Sequence, residues 1–163
     1  ELLTTHPPHY SVSIGGLVIT SFPAPHDSAC CVGYRLEFED SGARRALGCL
    51  TDAGCVTSHI ISGLSGCEAV VLESNHDTEM LRHGPYPDFL KARILSRRGH
   101  LSNDDCAALS ARLAGCGTRH ILLAHLSREN NRPELARAAV RAAIPDRGVR
   151  ILVADPDEPV SFA

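Results

Sequence analysis

The sequence predicts an α/β domain, a mixed sheet with flanking helices, and three observations carry that expectation. Short β-branched, apolar runs recur along the chain. In the second half they alternate with segments of helical period, and Gly, Pro, Asn and Asp punctuate the joins. A chain of 163 residues can bury a real core, and residues 1–163 are read as one unit without linker, repeat or low-complexity segment.

Residues 11–22 (SVSIGGLVITSF) read as β, interrupted by the pair Gly15-Gly16, which marks a turn. Residues 32–38 (VGYRLEF) alternate apolar and polar, and the DSG turn at 40–42 pairs them in a hairpin with 45–51. Residues 57–65 open on a Thr/Ser cap and predict a short helix. EAVVLES at 68–74 is a compact buried strand. Residues 77–82 form one helical turn, which Pro85 and Pro87 end.

From 88 to 97 the apolar residues Phe89, Leu90, Ala92, Ile94 and Leu95 fall on one helical face. A helix over 102–115 opens on Ser102 or Asn103 as its cap and ends at Gly115. HILLAHL at 120–126 is a further buried strand. A helix over 133–144 begins with Pro at its first position, and VRILVAD at 149–155 is a last strand.

Composition excludes some partners. Charged residues make up 21% and hydrophobic ones 44%, and the formal net charge of −3 provides no global basic field for nucleic acid. A nucleic-acid substrate would have to be held locally. Seven cysteines without a CxxC pair indicate neither a disulfide framework nor a zinc ribbon, and they place the protein in a reducing, cytoplasmic compartment. No apolar run spans a bilayer and no signal segment is expected. The opening ELLTTHPPHY, with Glu in place of Met, reads as a cut or processed product.

Polar residues of catalytic type collect at the C-terminal ends of predicted strands. His26 and Asp27 follow one strand, Asp52 the next, Asn75-His76-Asp77 the third and His125 the fourth. Strand ends are where a rigid sheet presents side chains to a shared cleft. His and Asp suit a borderline cation such as zinc or manganese, and a carboxylate can bridge two ions. Asp52 lies in TDAG, where small neighbours leave room for ions. Each residue alone has a plainer reading: Asp52 as an Asx-turn, His26 as the end of a Pro-rich turn, Arg97 and Arg98 as a solvated helix end, His6 and His9 as solvent-exposed.

The segments FPAPHDSACCVGYRLEF, CLTDAG, VVLESNHDTEMLRHGPYPDFLKARILSRRGHLSNDDCAALSARL and HILLAHLSRENNRPELA, in that order, resemble the metallo-β-lactamase superfamily, and within it the YycJ/WalJ branch of metallohydrolases. The resemblance covers nearly all of residues 11 to 143. It implies the C-terminal half of an αββα sandwich, with His26, Asp52 and His125 as metal ligands and Asp52 bridging two divalent ions, zinc or manganese. It also implies a catalytic part for Asp52 and His76. Asn75, His76, Asp77, His100, Asn103, Ser127 and Asn130 would contact substrate or orient ligands, with Ser102 and Asn131 near the same mouth. The implied activity is that of a di-metal phosphodiesterase or exonuclease acting on DNA, with a metal-bound hydroxide attacking phosphorus in line.

The superfamily's HxHxDH motif is absent, and HPPH at 6–9 does not replace it. Each ion would then have about two ligands, fewer than a stable zinc site uses. The expectation is therefore partial or no metal occupancy and no activity for this chain alone. One apolar sheet face is left for an N-terminal half carrying HxHxDH, or a self-dimer, to cover. Two other readings are a truncated binding or assembly module that has lost the chemistry, and a hydrolase of a small ester or thioester.

Overall fold

The computed structural model describes residues 5–144 and 148–162; the opening residues 1–4 lie outside it. Seven strands form one sheet in sequential order. β1 (Ser11–Ile14), β2 (Leu17–Ala24), β3 (Cys31–Asp40) and β4 (Ala43–Leu50) pair antiparallel, and β5 (Ala69–Glu73), β6 (His120–Ala124) and β7 (Arg150–Val153) continue parallel to β4. The sheet is mixed, as expected. Two tight hairpins explain the antiparallel half. Gly15 and Gly16 turn β1 into β2 with φ of 56° and 86°, and Ser41 and Gly42 turn β3 into β4 with φ of 51° and 78°.

The described residues also form five helices: α1 (Ser58–Leu64), α2 (Thr78–His83), α3 (Asp88–Ile94), α4 (Asn103–Gly115) and α5 (Pro133–Ala143). Side-chain oxygens of Thr57, Asp77 and Ser102 cap α1, α2 and α4. α1, α4 and α5 pack on one sheet face, whose rows include Phe22, Leu50, Leu72 and Leu123 beside Val70, Ile121 and Ile151. Glycines set the closest approach there. The Phe22 ring fills the space that a Cβ on Gly33 or on Gly63 of α1 would occupy, and Leu64 does the same at Gly48.

Among the described residues no helix packs on the opposite face. Register places Ile19, Leu36, Leu47 and Ala69 in one row, and Ser21, Tyr34, Cys49, Val71, Leu122 and Leu152 in the next. These residues are half-buried or exposed, with Tyr34 44% and Leu47 38% accessible. An apolar sheet face that open to water is incomplete as a hydrophobic layer. No helix of the described residues is long and apolar enough to cross a membrane.

Because β2 runs antiparallel to β3, and β3 to β4, the C-terminal ends of β2, β4, β5 and β6 share one edge of the sheet. The loops leaving that edge hold the candidate site.

Candidate metal centre

Three sequence-predicted ligands meet at this edge. His26 Nε2 lies 3.7 Å from Asp52 Oδ1, and His125 Nδ1 lies 3.7 Å from the same oxygen. His100 joins them, with Nδ1 3.9 Å from Asp52 Oδ1 and its ring 4.9 Å from His26 and 5.2 Å from His125 between centroids. Asp52 and His125 both have left-handed backbone, φ 56° and 58°. Non-glycine residues occupy that region at a cost, and in a folded protein such strain concentrates at functional sites. Asn75 holds the second of these turns, its Nδ2 donating to the His125 carbonyl at 2.9 Å.

Glu73 organises the cluster and was not singled out from the sequence. It is the last residue of β5 and is fully buried. Its Oε1 accepts from His100 Nδ1 at 2.7 Å and His125 Nδ1 at 2.8 Å, and its Oε2 accepts from the backbone N–H of Ala53 and Leu101 at 2.9 and 3.2 Å. Burial works to raise its pKa, but the hydrogen bonds from His100, His125 and Ala53 outweigh burial and hold the carboxyl at about 2. The same bond raises the pKa of His125 above its ordinary value, through Glu73 first and against desolvation.

Glu73 is near enough to Asp52, His100 and His125 to be counted with them as a metal-binding group. Its four hydrogen bonds argue for another role. A carboxylate so engaged acts as the partner that fixes each imidazole with Nδ1–H toward itself, which leaves Nε2 as the free ring nitrogen. His26 is held by a comparable contact: its Nδ1 lies 2.9 Å from the Gly99 carbonyl, which can only accept, so Nδ1 carries a hydrogen and Nε2 faces Asp27 and Asp52 at 3.4 and 3.7 Å. One carboxylate and three imidazoles so presented fit a divalent cation.

A cleft of about 470 Å³ opens beside this centre, lined by His100, His125, Asn75 and Ser127 on one side and by Tyr86, Leu90, Arg93 and Ile94 on the other. Arg93 pairs with Asp27, and Arg98 Nε donates to the His26 carbonyl at 3.0 Å, so α3 and its exit are tied to the His26 loop. The Arg93 hydrogen bond lowers the Asp27 pKa.

Other predicted residues stand elsewhere. Asp77 Oδ1 accepts from Met80 N at 2.8 Å as the cap of α2. Ser102 caps α4 and lies in a bridge with His76. Asn103 and Asn131 are buried in a network with Ser74, at 2.7 to 2.9 Å, which locks the loops after β5 and β6 together. His76 is 1% exposed with neither ring nitrogen hydrogen-bonded, and its pKa is lowered by desolvation. Asn130 is likewise buried, with Oδ1 unpaired. Neither lines the cleft. The structure thus brings His26, Asp52, His100, His125, Asn75 and Ser127 to one place, and sets His76, Asp77, Asn103 and Asn130 around it as interior or cap residues.

No family model matches the chain. Among curated proteins it is 41% identical over 136 residues to exodeoxyribonuclease YycJ of Bacillus anthracis, covering 83% of this chain and 50% of that protein. It is 38% identical over 141 residues to exodeoxyribonuclease WalJ of Streptococcus pneumoniae, covering 85% and 51%. The chain thus spans about half the length of these relatives. Its backbone is similar to the metallo-β-lactamase fold protein YhfI of Bacillus subtilis, with a TM-score of 0.63 at 16% identity, over 93% of this chain and 52% of that one. It is also similar to zinc-bound PqqB of Methylobacterium extorquens, TM-score 0.59 at 21% identity, over 93% and 49%.

Proposed function

Because this chain belongs to the metallo-β-lactamase-fold superfamily, and within it resembles the YycJ/WalJ branch, we propose that it forms one half of a metal-dependent DNA exonuclease of the cytoplasm. The observation that carries this reading is the convergence of His26, His100 and His125 on Asp52 at a single sheet edge. His26, Asp52 and His125 are the proposed metal ligands, and the Asp52 carboxylate is the group that would be shared if two ions were held. His100 stands beside them as a ligand or a contact to the scissile phosphate. The relatives' names supply the substrate, and the seven free cysteines favour a reducing compartment.

Divalent metals bound here would supply Lewis-acid activation of water and neutralise charge on a phosphodiester. The chain's own residues do the rest. Glu73 keeps His100 and His125 in one tautomer, with Nδ1–H held by the carboxylate and Nε2 left without a hydrogen. Asn75 holds the His125 turn, and Ser127 and Asn75 present polar groups beside it for substrate oxygens. Asp27 anchors Arg93 at the rim, where a guanidinium suits a backbone phosphate.

The open sheet face and a ligand set short of two full coordination shells both favour completion by another segment, an N-terminal half carrying HxHxDH or a second copy. The test pairs metal analysis with end-degradation of labelled DNA, on the protein with and without that half, beside a model ester as competing substrate. Metal-dependent loss of DNA ends, abolished by Asp52→Asn, is the expected result. Turnover of the ester alone would overturn the nuclease reading.

A further inference from the structure

The wall of the cleft opposite the metal centre has features that the metal chemistry does not use. Tyr86, Leu90, Arg93 and Ile94 line it, so α3 turns one side to the cleft. On the adjoining side Phe89 projects into water, 75% exposed, more than any other large apolar side chain among the described residues. It lies four residues before Arg93, the spacing that brings side chains together on a helix. A single exposed ring is ordinary on a protein surface; this one is distinguished by its place beside a polar cleft and its cations.

The charge around the ring indicates what would lie on it. Between residues 82 and 98 stand five cations, Arg82, Lys91, Arg93, Arg97 and Arg98, against one acid, Asp88; Arg82 also pairs with Glu79 and Arg93 with Asp27, which leaves a local balance of +2 in a chain whose formal net charge is −3. Arg128 is exposed on the facing wall of the same cleft. Aromatic faces set among cations suit a chain of phosphates carrying flat bases. A base inside a duplex has both faces covered by its neighbours, whereas an unpaired base offers one to a ring.

Resting on the nuclease reading above, we propose that α3 is a stacking platform for the unpaired terminus of a DNA strand. The terminal base lies on Phe89, and Arg93 and Arg128 take the phosphates leading toward His100 and His125. Phe89 borders the cleft rather than lining it, and the cleft's volume of about 470 Å³ has room for a nucleotide's sugar and phosphate but not for a duplex. The site thus acts on a frayed or single-stranded end, one nucleotide at a time.

The sequence contains no Trp, so Phe89→Trp introduces the protein's single tryptophan and places it at the proposed contact. The probe is a phosphorothioate-linked ten-nucleotide oligothymidylate bearing fluorescein, with binding read by anisotropy at low salt. Loss of one base–aromatic stack weakens binding by about tenfold or more. Phe89→Ala and Phe89→Leu are both expected to show that loss. Phe89→Trp is expected to bind as tightly as the unsubstituted protein, with its emission quenched by the oligonucleotide and not by a blunt duplex of equal length. The ring is mostly in water, so none of these changes disturbs the core.

Unchanged affinity in Phe89→Ala, or unquenched emission in Phe89→Trp, overturns the platform while leaving the nuclease reading intact. Full affinity in Phe89→Leu overturns it as well, since bulk without a π-face would then suffice, as for a protein partner. No oligonucleotide binding by the unsubstituted chain overturns the platform, and no binding when the completing half is also present overturns the nuclease reading as well.

Discussion

Asp52 and His125 follow different strands, β4 and β6, yet both take left-handed backbone, and their side chains face each other across 3.7 Å. The two turns lift a carboxylate and an imidazole out of the sheet plane toward a common point. That geometry has a cost which glycine would not bear.

Asp52→Gly should therefore keep or raise the melting temperature while removing metal affinity. Asp52→Ala, which retains a Cβ at φ 56°, should be less stable than Asp52→Gly by about 1 kcal/mol. Asp52→Asn should fold normally, because Asn tolerates this region. Thermal melts of the three variants decide it, and equal stability of the Ala and Gly variants would show that the turn is unstrained.

Glu73→Gln should be among the most damaging single-atom changes in the molecule. The amide puts an NH2 in place of one carboxylate oxygen, so donors meet either the backbone N–H groups of Ala53 and Leu101 or the two imidazole nitrogens, and one pair of hydrogen bonds is lost whichever way it turns. The expected loss is on the order of 3 kcal/mol. Metal affinity should fall about 10- to 100-fold, although no ligand has changed. A pH series gives a second check. The folded-state pKa of about 2 lies below the ordinary glutamate value of 4.5, so Glu73's contribution is present above pH 4.5 and is lost as pH falls toward 2. Acid unfolding of the Gln variant should lack that segment.

His76 predicts the behaviour of a buried base. Desolvation lowers its pKa below 6.5, so the unfolded chain binds the proton first as the solution is acidified. Its influence is absent above pH 6.5 and destabilises the fold as pH falls through that value. His125 has the opposite sign, because its raised pKa favours folding below 6.5. His76→Leu should change stability at pH 7.5 by about 1 kcal/mol or less, since it removes two unpaired buried nitrogens. It should also flatten the decline between pH 6.5 and 5. An unchanged slope in urea titrations would count against a desolvated ring.

Gly99→Ala tests the hold on His26 without touching a ligand. A Cβ there would meet the carbonyl oxygens of Arg93 and Ile94, so the Gly99 backbone must shift, and with it the carbonyl that orients His26 Nδ1. Calorimetric titration with zinc should show weaker binding by about tenfold or more, in the range for losing an outer hydrogen bond to a ligand. Affinity equal to the unsubstituted protein would mean that His26 is positioned by something else.

Much of the fold could be read from the chain, because period and punctuation act locally. The Gly15-Gly16 pair marked a real turn, and the strand and helix limits differ from expectation mostly by one to three residues at the ends. Three of the convergent residues were also legible, since His and Asp right after apolar strands are unusual. Glu73 was not. A carboxylate closing an apolar strand looks like a solvated end until His100 and His125 are seen arriving on it from 27 and 52 residues away. His76 and Asn103 mark the converse limit. Irregular segments lack a period to say which way a side chain turns, and both face inward.

The residues that build the centre, His26, Asp52, Glu73, His100 and His125, leave five separate segments of the chain and are drawn from a stretch of nearly a hundred residues. No two lie close enough in sequence to meet early in folding. Long loops must close before they face one another, and such contacts form slowly and late. Metal added to a refolding chain should therefore bind only after the sheet has closed, and the moment of binding can serve as a clock for the last step of assembly.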